Sequence, residues 1–278
     1  MTQVIESLSE ISDRFDAIVL DQWGVLHDGT SPYPGAVAAL EALNTRLAVL
    51  SNSGKRSDPN ARRIADMGFD ARLFEVVMTS GEALWQDIAS GRVGHCSLCP
   101  ITRGAGDAET WAEGLGVTLT QNPTQADAIL LMGLPDDGPG AAEDVLEIAR
   151  AKGIPLLCTN PDRASPRAGG ATVVSPGALA HAYQDAGGEV EFYGKPHGPV
   201  FDAVAHALGA EPERLLMVGD SLEHDIAGGH GAGWATLFIR GGLHAGAFAD
   251  GADTTQTIAD LAALDGAPLP TYTLDQLR

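Results

Sequence analysis

Short apolar runs alternate along the chain with stretches whose apolar residues recur at helical spacing, and most runs stop at a glycine or a polar side chain. Residues 16–22, built on Ala17-Ile18-Val19-Leu20, read as a buried strand followed by a loop to Pro34. Residues 35–44 place Val37, Leu40 and Leu43 at i, i+3 and i+6 and predict a helix. A second strand is expected over 46–51, and Ser57-Asp58-Pro59 opens a helix with proline near its first turn. The middle repeats the alternation, with strands over 92–99, 128–132 and 154–158 and a helix over 141–152. A further block starts with a strand over 189–193. It continues with a helix near 199–208, strands over 215–218 and 234–239, and a helix over 223–229. Strands separated by helices imply parallel pairing through right-handed crossovers, the pattern of a doubly wound α/β sheet.

Four of the strand ends carry polar or charged residues: Asp21, Ser51, Lys195 just past Tyr193, and Asp220. In a doubly wound sheet the carboxyl ends of the strands meet at one crevice, so these four side chains are expected to converge. An isolated carboxylate after a strand is commonly only a cap; two carboxylates, a serine and a lysine at one edge call for a chemical reading.

Composition narrows the partners. The chain has 278 residues, 44% of them apolar, enough for a sizeable core. No run approaches the roughly 20 apolar residues of a membrane span. Met1 to Glu6 lacks the basic and apolar regions of a signal peptide, so a soluble cytoplasmic protein is the expectation. A net charge of −20 argues against nucleic acid and anionic membrane as partners. An anionic substrate would need a bound cation and local lysine or arginine to reverse the field at one site. The three cysteines, Cys96, Cys99 and Cys158, suggest reduced thiols. His95-Cys96-Ser97-Leu98-Cys99 has the spacing of half a zinc site, but the other half is missing and buried structural cysteines are expected.

Together, Asp21 to Leu26, Ser51, Lys195 and Gly219-Asp220 with Asp225 resemble the four motifs of the haloacid dehalogenase-like hydrolase superfamily, in order. Thr159-Asn160-Pro161-Asp162, Pro176-Gly177-Ala178-Leu179 and Gly194-Lys195-Pro196-His197 are further local matches. The long segment between Ser51 and Lys195 is similar to subclass IIA, the nitrophenyl phosphatase, pyridoxal phosphatase and NagD-like branch, which carries its cap domain there. The resemblance implies a catalytic core over 1–79 and 179–278 and an α/β cap over 80–178 that sets substrate specificity. It also implies a Mg²⁺-dependent phosphatase of a small phosphorylated metabolite, with a homodimer through the cap as the assembly.

The implied roles suit the residue types. Asp21 would attack phosphorus and carry the phosphoryl group, splitting the displacement into two steps. Asp21, Asp220 and the backbone carbonyl of Trp23 would hold Mg²⁺, and Asp225 would either join the metal site through a bound water or orient Lys195. Lys195 would neutralise charge, while Ser51, Asn52 and Ser53 would hydrogen-bond the phosphoryl oxygens. In the cap, Asn160, Asp162 and Arg163 are the substrate-binding candidates; Arg163 and Arg167 either meet a second anionic group or belong to a solvated loop.

Trp23 departs from the pattern. Phosphatases of this family have a second Asp there, which protonates the leaving oxygen and then activates water, and an indole does neither. Three outcomes stay open: a phosphatase that is slow or restricted to good leaving groups such as acyl or aryl phosphates, a substitute group, or a non-hydrolytic binder of a phosphorylated ligand or partner. His27 is the substitute candidate, against a solvent-facing loop reading; Asp28 lies beside it, and His197 reads more simply as a helix start. Trp23 itself is either a stacking platform for a ring-bearing substrate or packing at the site floor. A dehalogenase is a further reading, but that branch does without the metal that Asp220 and Asp225 are arranged to hold.

Overall fold

The structure is a computed structural model that describes residues 2–136, 138–166, 172–248 and 252–277. In chain order the strands are β1 (Gln3–Val4), β2 (Ala17–Leu20), β3 (Arg46–Ser51), β4 (Val76–Thr79), β5 (Ser97–Ile101), β6 (Thr118–Leu119) and β7 (Ala128–Leu131). They continue as β8 (Leu156–Cys158), β9 (Ala164–Pro166), β10 (Thr172–Val174), β11 (Val190–Phe192), β12 (Leu215–Gly219), β13 (Ala235–Ile239) and β14 (Tyr272–Leu274). The helices are α1 (Ala36–Glu41), α2 (Ser57–Asp66), α3 (Ser80–Ala89), α4 (Asp107–Ala112), α5 (Gly140–Ala151), α6 (Pro176–Asp185), α7 (Gly198–Leu208), α8 (Ala227–Gly231) and α9 (Thr254–Asp265).

Two compact units form, one from residues 1–51, 58–78 and 195–278, the other from 52–57 and 79–194. The first is the doubly wound α/β core. Its sheet has the order β1-β14-β13-β12-β2-β3-β4. β2 pairs in parallel with β12 on one side and β3 on the other. Every residue of β2 and β12 is buried, as expected of strands covered on both faces, and this explains their unbroken apolar sequences. Ile18, Leu20, Val49, Leu216, Val218 and Leu237 belong to the main core cluster.

The second unit is a smaller parallel sheet of order β11-β8-β7-β5-β6 with the β9–β10 hairpin beside it in the chain. Ile129, Leu131, Leu146, Leu156, Leu179 and Tyr183 form its core. The expected cap limits of 80–178 are therefore too narrow. α6 packs Leu179 and Tyr183 into this core, and β11 pairs with β8, so the unit runs on to Gly194 and also takes in residues 52–57.

Three other expectations shift. The strand expected over 92–99 lies at Ser97–Ile101, which leaves Cys96 exposed while Cys99 and Cys158 are buried; all three are free thiols. The helix expected over 223–229 starts as a single π turn, Leu222–Ile226, before α8. α1 is shorter than 35–44, because Gly35 sits at φ 87° and starts no helix.

Candidate active site

The register of the core sheet brings the chemistry to one edge. Leu20, the last residue of β2, pairs with Val218 of β12 and with Val49 of β3. Asp21 is the next residue after Leu20, Asp220 lies two beyond Val218 and Ser51 two beyond Val49, so all three leave at the carboxyl edge next to the central strand. The Asp21 N–H still donates to the Val218 carbonyl at 2.9 Å, which fixes the nucleophile candidate to the sheet.

Asp225 reaches the same edge through the π turn. Its side chain folds back on β12, where Oδ2 accepts the Ser221 N–H at 3.1 Å, and it would collide with any Cβ at Gly219. Single π turns of this kind recur at functional sites because they re-aim one side chain. Asp21, Asp220 and Asp225 each offer one oxygen, all within 4.8 Å of one another. Lys195, 3% exposed, donates to Asp21 Oδ1 at 2.7 Å and to Asp225 Oδ1 at 2.6 Å. It is the first core residue as the chain returns from the second unit, not the end of a core strand.

The electrostatics follow from two buried carboxylates, Asp220 and Asp225, and the partly buried Asp21 gathered around the Lys195 ammonium. Burial raises the Asp21 carboxyl above its ordinary value, with Lys195 opposing and Asp225 adding to the rise. Burial and the charges of Asp21 and Asp225 hold Asp220 well above the usual carboxylate range. Burial alone would lower Lys195, but the two carboxylates outweigh it and its pKa is raised. The cluster thus holds more negative charge than its own lysine neutralises. Its all-oxygen donor set, free of thiol and imidazole, suits a hard divalent cation such as Mg²⁺.

Two supports of this cluster escape a motif-based reading. Gly24 has φ 82°, and a Cβ there would lie 1.7 Å from Asp220 Oδ2. The Leu243 N–H donates to that same Oδ2 at 2.7 Å, and Gly242 leaves the room for it. Gly24 could have been suspected from its place after the strand; nothing in the sequence flags the Gly242-Leu243 turn.

The loop after Asp21 is tightly wound. The N–H groups of Leu26 and His27 both donate to the Gln22 carbonyl, and Gly24 N–H donates to His27 O at 3.0 Å. His27 is 1% exposed, so the solvent-facing reading is wrong: Nδ1 accepts the Gly29 N–H at 3.0 Å, and buried Nε2 has no partner. Burial and the charge of Arg63 push its pKa down. Asp28 Oδ1 accepts from the Thr30 and Ser31 N–H groups, both at 2.8 Å. Trp23 is 39% exposed, and its indole Nε1 would lie 2.8 Å from a Cβ at Gly29, so the ring packs against that turn and keeps part of its surface open.

In the second unit, Asn52 Nδ2 donates to Asp162 Oδ1 at 2.7 Å, and Asn160 Oδ1 accepts the Asp162 N–H at 3.1 Å. The structure therefore joins Asn52, Asn160 and Asp162 in one polar cluster. Ser53 Oγ accepts the Lys55 N–H at 3.3 Å, while Arg163 is exposed. His197 precedes α7 as its N-cap residue, in line with the helix-start reading. Arg167 lies outside the described residues.

Residues 15–233 match the family model described as haloacid dehalogenase-like hydrolase. The chain belongs to this family. Chronophin of Bos taurus is 28% identical over 261 residues, covering 85% of each chain. Among solved structures, a haloacid dehalogenase-like hydrolase of Brucella suis superposes with TM-score 0.80 at 27% identity, covering 99% of this chain and 100% of that one. A glycerol phosphate phosphatase of Mycobacterium tuberculosis, solved with magnesium, gives TM-score 0.75 at 21% identity over 99% of this chain and 78% of that one. By family the protein is a hydrolase of the α/β haloacid dehalogenase-like fold, on a branch whose relatives include glycerol-3-phosphate phosphatases of Gallus gallus and Homo sapiens. No helix among the described residues is long and apolar enough to cross a membrane.

Proposed function

We propose that the chain hydrolyses a phosphate ester of a small metabolite by way of a phosphoryl group carried on Asp21. The observation that supports this most is the cluster itself: three carboxylate oxygens within 4.8 Å of one another, with buried Lys195 tied to Asp21 and Asp225. In the first step a bond forms between an Asp21 carboxylate oxygen and phosphorus while the ester P–O bond breaks, and the leaving group keeps the electron pair. In the second step a water oxygen bonds to phosphorus, the bond to Asp21 breaks, and inorganic phosphate leaves.

Lys195 orients Asp21 and offsets the charge that gathers around the incoming phosphate. The Ser51 hydroxyl, at the end of β3, is the donor for the transferred phosphoryl oxygens, with Asn52 and Ser53 following it in the chain. Asp21, Asp220, Asp225 and the Trp23 carbonyl would hold Mg²⁺, which supplies the charge neutralisation that lets a carboxylate approach a phosphate anion. The second unit carries the candidates for substrate selection, Asn160, Asp162 and Arg163.

Trp23 shapes the substrate range. It gives no proton to the departing oxygen, which favours leaving groups that depart as stable anions, aryl and acyl phosphates among them. Its half-open indole also supports a second reading, a non-hydrolytic binder of a phosphorylated ring-bearing ligand. Phosphate release from a metabolite panel with Mg²⁺, aryl and acyl phosphates included, separates the two. Release by the wild type and not by Asp21→Asn supports hydrolysis. Release by neither, with any substrate, overturns it in favour of the binder.

A further inference from the structure

Hydrolysis through Asp21 moves a proton twice, once to the departing oxygen and once from the attacking water. Among the described residues, Lys195, Asp220 and Asp225, the charged side chains clustered with Asp21, each already carry hydrogen bonds. Lys195 donates to Asp21 and to Asp225. Asp225 accepts through both oxygens, from Lys195 and from the Ser221 N–H, and Asp220 Oδ2 accepts from Leu243.

The loop beyond Asp21 adds three more ionisable groups: Tyr33, whose hydroxyl is kept protonated by burial and the charges of Asp220 and Asp28, Asp28, whose carboxyl the turn's N–H groups hold below its ordinary value, and His27. Asp28 Oδ1 takes two N–H groups of the turn it caps. His27 spends Nδ1 on the Gly29 N–H, and its Nε2 is sealed from solvent, so neither ring nitrogen can pass a proton to water. Asp28 is exposed at the far end of the turn, while the position two residues past the nucleophile presents the Trp23 indole, which has no basic site.

The first step can do without a proton donor when the leaving group is a stable anion. The second cannot be helped in that way, because its nucleophile is always water. A general base contributes about 10²–10⁴ in rate, and among the described core side chains named above none is set to supply that factor in the second step. We propose that the phosphoryl group accumulates on Asp21, because its hydrolysis and not its formation limits turnover of activated substrates. The inference rests on the phosphatase reading above and goes beyond it, since a phosphatase with a working base need hold no phosphoenzyme. The atoms balance as before, with the proton of the attacking water passing to solvent or to the released phosphate.

A rapid-quench experiment on the wild type with Mg²⁺ and 4-nitrophenyl phosphate tests it directly. The expected result is a burst approaching one nitrophenolate per active site, then a slow linear phase, and the same kcat with acetyl phosphate, since both substrates drain through one intermediate. Trp23→Asp is expected to shorten the intermediate's lifetime by about 10²–10⁴ and remove the burst. If that variant does not fold, the wild-type burst and the shared kcat decide the matter alone. Release that is linear from the start, with kcat differing between the two substrates, overturns the inference and leaves hydrolysis standing. No release above Asp21→Asn with either substrate overturns the phosphatase reading itself.

Discussion

Replacing Lys195 by methionine keeps the aliphatic stem and removes the ammonium that bridges Asp21 and Asp225. Lys195 and Asp225 are almost wholly buried and Asp21 is 16% exposed, so water screens these contacts little. Breaking a buried ion pair from one side costs about 3–5 kcal/mol, because the other charge stays behind without a partner. The two contacts share one ammonium and do not add. Asp21 and Asp220, whose carboxyls are already pushed up, can also take protons and limit the loss to that range.

At about 2–4 °C per kcal/mol for a chain of this size, the melting temperature should fall by roughly 6–20 °C in chelator. The pH dependence has a definite sign. The Lys195 pKa is raised on folding, so its contribution is complete below the unfolded lysine value and is lost only as pH climbs through the folded one. The raised carboxyls contribute stability below their unfolded value and lose it as pH rises through their folded values. With the ammonium gone that loss dominates, so the gap between variant and wild type should widen from about pH 4 to neutrality. Calorimetric melts at several pH values measure it. A gap under about 1 kcal/mol near neutral pH, or one that narrows as pH rises, would refute the electrostatic account.

Two further outcomes test the supports of the cluster. Gly24→Ala puts a Cβ onto Asp220 Oδ2 at a positive φ, so Mg²⁺ affinity should fall by about 10–100-fold in titration calorimetry with the core still folded; unchanged affinity would show that Asp220 is not a ligand. Because burial raises the Asp21 and Asp220 carboxyls, protons compete with a cation for their oxygens as pH falls, so Mg²⁺ should raise the melting temperature more at neutral than at acidic pH. The stabilisation should reach about 2.7 kcal/mol at a hundred times Kd, and a gain independent of pH would contradict the assignment.

Much of the core could be read from the chain because β2, β3, β12 and β13 are continuous apolar runs, and each polar residue that ends a central run marks the active edge. Asp21, Ser51 and Asp220 needed only that pattern. Asp225 needed the spacing within a motif, since a π turn aims it and periodicity does not reveal one. Lys195 was recognisable as a candidate but not by its origin: the strand before it looks like any other short apolar run, and only pairing with β8 places that strand in the second sheet. His27 was misjudged because a polar residue in a loop reads as exposed, whereas here the turn buries it against its own backbone. β14 and β4 escaped notice as runs of three and four residues, too short for a period to show. α3 follows β4 with no glycine or proline between them, and only the Thr79 side chain on the Glu82 N–H marks the boundary.

The central claim, phosphoryl transfer through Asp21, is tested most directly by mass spectrometry of acid-quenched enzyme after turnover of an aryl phosphate with Mg²⁺. The account predicts a phosphoryl adduct on the peptide that carries Asp21, sensitive to hydroxylamine as an acyl phosphate should be, and absent from Asp21→Asn. Phosphate release that persists in Asp21→Asn, with no adduct on that peptide in the wild type, would contradict it.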